Sequence, residues 1–169
     1  MQTIRKIRLF LSSPGDVEIE RQATHRVVEQ INRMLGNQSG WYLEVIDWKT
    51  HVAPDMGRPQ GVINSQIGPY DIFVGIMWKR FGTPTGVAES GTKEEFDRAY
   101  VNWQYFGKPR IMFYFSQVPY TPQDSSEIDQ WGKVLKFKKE LQQKGLIREY
   151  RTADEFAELL REHLAGILQ

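Results

Sequence analysis

The stretch that most constrains this chain is Asp71 to Trp78, DIFVGIMW, which is almost unbroken in apolar residues. A strand with one wet face alternates polar and apolar side chains. A continuous apolar run predicts a central strand covered on both faces, the habit of parallel sheets. Four other segments read as strands around it: Ile4 to Leu11, Tyr42 to Trp48, Arg110 to Phe115 and the short Leu146 to Tyr150. Segments of helical periodicity separate them. The first is opened by Asp16 as N-cap, carries Ile19, Ala23, Val27, Ile31 and Met34 or Leu35 on its apolar side, and is stopped by Gly36. Pro59 to Ile67 is a short helix closed by Gly68-Pro69, and Thr92 to Phe106 is a longer one facing inward with Phe96, Ala99, Tyr100 and Trp103. A helix with Trp131, Val134, Leu135, Lys138 and Leu141 on one side ends at Gly145, and Thr152 to Leu168 begins with the capping box Thr152-x-x-Glu155.

A strand followed by a helix, repeated along the whole chain, implies an α/β domain of three layers with helices on both faces of a parallel sheet. Five strands favour the flavodoxin-like order 2-1-3-4-5, whose topological switch lies between strands 1 and 3. Ligands bind outside the carboxyl ends of the strands at such a point. The loops there are Ser12 to Asp16 and Lys79 to Gly91, both rich in turn residues.

Composition narrows the function classes. Lys plus Arg is 22 and Asp plus Glu is 21, a net charge of +1, so the basic excess of a nucleic-acid footprint is missing. There is no cysteine, which excludes disulfides and thiolate chemistry. No apolar stretch approaches the ~20 residues of a membrane span, and the apolar run after the basic N-terminal residues is too short for a signal peptide. A single cytoplasmic domain over residues 1–169, with no membrane and no nucleic-acid partner, is expected; it could be excised from a longer protein. His25, His51 and His163 lie far apart, without metal-ligand spacing, and no metal is expected. The lysines at 133, 136, 138, 139 and 144, with Glu140 among them, read as a solvated helix face.

Three segments could carry chemistry. Ser12-Ser13-Pro14-Gly15-Asp16 joins a strand to a helix, where backbone N–H groups and the helix dipole favour an anion; a plain turn with Asp16 as cap is the alternative. Glu95 sits near the start of the third helix. There a carboxylate can face a ribose and stabilise positive charge growing on an anomeric carbon. Thr92-x-x-Glu95 is also a capping box, which by itself accounts for both residues. Trp78-Lys79-Arg80-Phe81 could stack on a base and hold phosphate, or could be a strand end with snorkelling cations.

Taken together, RLFLSSPGDVEIERQA, PQGVINSQI, DIFVGIMWKRFGTPTG and SGTKEEFDRA resemble the TIR-like domain of unknown function found at the N-termini of many STAND-type NTPases. The resemblance runs from about Ile4 through Ala99. It implies kinship with TIR domains, many of which cleave NAD, and an effector role in an immune or defence-type NTPase. In enzymatic TIR domains the catalytic Glu opens the third helix, followed by an aliphatic residue and then, after a short gap, often Ala. Glu95, Phe96 and Ala99 fit that frame better than Glu94 does. The resemblance thus implies Glu95 as the catalytic residue, and the segments beside it are expected to contact the nucleotide through Ser12, Ser13, Asp16, Trp78, Arg80, Phe81 and Thr92. NAD would be the substrate and no cofactor would be needed. Partners would be the nucleotide, further copies of the domain, or the NTPase region of a parent chain. Gly91-Thr92-x-x-Glu95 also resembles the GTxxE segment of nucleoside deoxyribosyltransferases. A signalling module that binds without chemistry is the remaining expectation.

Overall fold

The computed structural model of the chain describes residues 3–47 and 59–168. Trp48, the loop Lys49 to Arg58 and His51 within it lie outside the described residues. Strands β1 (Arg5–Ser12), β2 (Trp41–Ile46), β3 (Ile72–Met77), β4 (Arg110–Ser116) and β5 (Ile147–Tyr150) form one all-parallel sheet in the order β2-β1-β3-β4-β5. Helices α1 (Glu18–Ile31), α2 (Pro59–Ile67), α3 (Gly91–Phe106), α4 (Ser125–Gln143) and α5 (Ala153–Leu168) cover it. This is the α/β flavodoxin-like arrangement. All six residues of β3 are buried, as its unbroken apolar run requires.

The pleat divides the sheet into two cores. Leu9, Leu11, Val74, Ile76 and Tyr114 face α1 and α5, where Val27, Phe156 and Leu160 meet them. Phe10, Phe73, Phe113 and Phe115 face the other layer, where Phe96 of α3 and Phe137 of α4 lie. Phe96 is 3% exposed, with its ring 5.5 Å from that of Phe137. Burying such a ring contributes about 2–3 kcal/mol. Ser12 continues the Phe10 side of β1, so its hydroxyl points to the layer that holds α3.

The helix faces depart from the sequence expectation at several points. Ile19 and Met34 are exposed, and the buried stripe of α1 runs instead through Val17, Arg21, Thr24 and Val28 as well as Ala23, Val27 and Ile31. Gly36 does not stop the helix. It lies in a π-turn, Asn32–Gly36, that follows α1, and the chain turns away at Gly40, where φ is +74°. In α4, Phe137 is buried and Leu135 exposed; in α3, Trp103 is half exposed.

Gly75 carries the closest approach in the sheet. A Cβ there would stand 2.3 Å from two ring carbons of Phe113, itself 1% exposed. Gly75→Ala is therefore expected to cost about 2–3 kcal/mol through overpacking. Gly132→Ala, on the open side of α4 with nothing near its Cβ position, should instead stabilise by about 1 kcal/mol through helix propensity. Denaturant unfolding of the two variants checks the contrast.

Candidate functional site

Helix α3 begins two residues earlier than a capping box at Thr92 would have it. Ser90 is the N-cap, its Oγ accepting from the Lys93 N–H at 3.1 Å. Thr92 is buried in the first turn, and Glu95 falls on the turn after it, free of any capping duty. Its carboxylate points away from its own helix end. Oε2 accepts from the Ser12 hydroxyl at the carboxyl end of β1, and Oε1 accepts from the Gln60 amide of α2 at 3.0 Å. Gly91 makes room for that amide: a Cβ there would come within 2.5 Å of the Gln60 Oε1.

Ser12, Gln60 and Glu95 are each at most 7% exposed. Burial pushes the Glu95 carboxyl up to about 7 from its ordinary 4.5. The Ser12 and Gln60 hydrogen bonds and the charge of Arg21 oppose the rise, while the adjacent Glu94 adds to it. Glu94 is itself buried and accepts from the Asn64 amide and the Thr85 hydroxyl. Two neighbouring carboxylates are thus held by four neutral donors from three other segments.

A second buried group lies beside the first. Arg21, 2% exposed, donates from Nη1 to the Ser13 hydroxyl and from Nη2 to Asp47, just past the end of β2. His25 Nε2 stands 3.7 Å from the other oxygen of Asp47. Asp16 does not cap α1. Its Oδ2 accepts from the backbone N–H groups of Lys79 and Arg80, at 3.3 and 3.2 Å, and so ties the turn after β1 to the loop after β3. Asp16 Oδ1 and Arg21 Nε are buried without a hydrogen-bond partner among the described residues.

Glu95 also lines a hollow of about 200 Å³ between α2, α3 and the Gly68–Tyr70 turn, with Phe10, Ile67, Tyr70, Arg98 and Asn102 among its walls. Burial and the Glu95 charge hold the Tyr70 phenol well above its usual range, so it remains a hydrogen-bond donor.

The family model described as a domain of unknown function (DUF4062) matches residues 8–165, from within β1 into α5. The chain belongs to that family. No curated protein matches it.

In this DUF4062 domain the residues expected to form the site divide into those brought to Glu95 and those that are not. Ser12 touches it, and Ser13 and Asp16 sit in the same turn, engaged with Arg21 and the β3 loop. Phe81 is not available to frame a base: it is 1% exposed, packed in the core with its ring 5.7 Å from Phe137. Trp78 donates from Nε1 to the Val118 carbonyl at 3.0 Å and packs edge-on against Tyr120. Arg80 is exposed and is held at its backbone. Among the described residues, no group of three or more His, Asp or Glu is placed to hold a metal, and no helix is long and apolar enough to cross a membrane.

Sequence reasoning missed Arg21, Asp47, Gln60 and Asn64, and weighed Glu94 only as a poorer fit than Glu95. Arg21 had a usable signal. It stands at the helical spacing of Val17, Thr24 and Val28, in the middle of an apolar stripe where a charge needs a buried partner.

Proposed function

We propose that this domain cleaves the N-glycosidic bond of NAD or a related nucleotide, with Glu95 as the group that stabilises the transition state. The observation that carries the reading is the direction of the Glu95 carboxylate. It turns from its own helix toward the end of β1 and borders a hollow, instead of serving as a cap. The Ser12–Glu95 contact lies at the carboxyl end of β1, the switch point where ligands of this fold class bind, and the hollow leads from it between α2 and α3 toward the turns before β3 and β4. The sequence resemblance to TIR-like domains supports the same chemistry. In this reading the domain is the effector of a larger defence-type NTPase and gains activity on self-association.

The step needs one ionised carboxylate and no acid. The C–N bond breaks, the electron pair leaves with nicotinamide, which departs neutral, and the ribose carbon takes up positive charge. The Glu95 carboxylate stabilises that charge electrostatically, more strongly in a dry site than it would in water. Water then adds to the ribose carbon and releases a proton. Ser12 and Gln60 hold the carboxylate by its two oxygens, leaving other lone pairs for the ribose hydroxyls. The hollow of about 200 Å³ is smaller than the roughly 300–1,000 Å³ of whole-ligand pockets and suits one ring of the nucleotide.

Because Glu95 works ionised and its carboxyl lies up at about 7, turnover should rise with pH through that value. Nicotinamide and ADP-ribose release, followed chromatographically at high protein concentration, should be about tenfold faster near pH 8 than near pH 6. Release that is flat over this range would exclude Glu95 as the group that must ionise. A second reading, a module that docks partners without chemistry, is favoured by the exposed aromatic end of α3, where Tyr105 and Phe106 are 78% and 75% exposed. Absence of release from NAD by the assembled parent protein would favour it.

A further inference from the structure

A separate cavity of about 540 Å³ opens at the outer edge of the sheet, between β4, β5 and the end of α5, and shares no residue with the Glu95 hollow. Strand lengths create it. β4 begins at Arg110, but β5 starts only at Ile147, which pairs with Phe113. The Arg110 N–H bonds inward to Asp71 and the Phe113 N–H bonds outward to Leu146. By the two-residue period of a strand, the N–H of Ile111 also points outward, where β5 supplies no strand residue. Met112 and Ile167 supply apolar wall on the α5 side, and Ile111, Leu146 and Ile147, which also pack against the other core, border the opening.

The polar groups at this cavity share one character. The Tyr114 hydroxyl lies 2.6 Å from His163 Nδ1, and the rings are stacked at 5.8 Å. Burial and the charge of Arg148 push the His163 imidazole below its usual value, against the pull of Glu162. The ring is therefore neutral, and burial also keeps the Tyr114 phenol protonated. The Tyr114 hydroxyl also lies 3.8 Å from Met112 Sδ, to which it can donate, so the tautomer of His163 sets the direction of its bond to Tyr114. Arg110 and Arg148 line the same cavity, and neither is in an ion pair among the described residues. Two arginines against the single Glu162 leave one uncompensated positive charge.

We propose that this cavity binds a small organic monoanion, a carboxylate carried on an apolar body. One negative charge balances the site, the two arginines supply the donors a carboxylate needs, and the aliphatic residues around the cavity take the body. The proposal is independent of NAD cleavage, since none of its residues touches Glu95.

Naphthoate and its neutral amide are the probes, titrated into the whole chain while backbone amide and imidazole NMR signals are followed. Naphthoate should shift Ile111, Ile147 and His163 saturably. Naphthamide should bind about tenfold more weakly or worse, the worth of a charge-assisted hydrogen bond. Arg110→Gln and Arg148→Gln, both at exposed side chains and so expected to fold, should each weaken naphthoate by about the same factor. Equal binding of acid and amide, unchanged affinity in both variants, shifts confined to other surfaces, or no shift at all would each overturn the proposal.

Discussion

Glu95→Gln is expected to make the protein more stable above neutral pH, by about 3 kcal/mol, while leaving it little changed in acid. The sign follows from the direction of the shift. The Glu95 carboxyl titrates at about 7 when folded and at an ordinary 4.5 otherwise. Between those values the unfolded chain has released a proton that the folded chain still holds, so stability falls as pH rises through the window, and the full loss is present above about 7. An amide does not titrate. It can still accept from the Ser12 hydroxyl, and its NH₂ can donate to Gln60 once that side chain turns its amide over. Denaturant unfolding of wild type and variant near pH 5 and near pH 8 measures the difference. A variant less stable than wild type near pH 8 would contradict an ionised, unfavourably buried carboxylate. The expected gain in stability, paired with a loss of turnover, is the trade found where a site is strained for its task.

Removing Arg21 should act in the opposite direction and more severely. Arg21→Met takes the guanidinium away from Asp47, which is 4% exposed, and breaking such a buried pair costs about 3–5 kcal/mol. It also removes a charge that favours ionised Glu95, so the pH midpoint of turnover should move upward. The two effects separate in the double variant Arg21→Met, Asp47→Leu. Apolar groups of similar size should restore most of the stability, whereas the midpoint stays high. A double variant as unstable as the single one, or a midpoint unmoved in both, would remove Arg21 from its double role.

The architecture was legible because its strongest signals are local. The run Ile72–Met77 announces a strand covered on both faces, and alternation of strand and helix then leaves few topologies. Helix faces were read less well where apolar residues stand side by side. Leu135 and Phe137 are both apolar and lie on different sides of α4, and only packing against Phe96 and Phe115 selects Phe137. The pairing of Ser12 with Glu95 follows from the sheet order together with the pleat. The capping box at Thr92 stayed open as an alternative because Ser90 and Thr92 are both able caps separated by Gly91, and nothing local decides between them. Gln60 and Asp47 were out of reach of any pattern: polar residues are usually solvated, and their role depends on elements distant in sequence. Phe81 shows the reverse error, an aromatic after a strand that serves the core instead of a ligand.

The central claim is that a negative charge at Glu95 does chemistry on a ligand. Nicotinamide release from NAD, measured near pH 8 on equal concentrations of assembled wild type and Glu95→Gln, tests it most directly. Release by wild type and none by the variant is the predicted result, since the near-isosteric amide lacks the charge that the step requires. Equal release by both would contradict it.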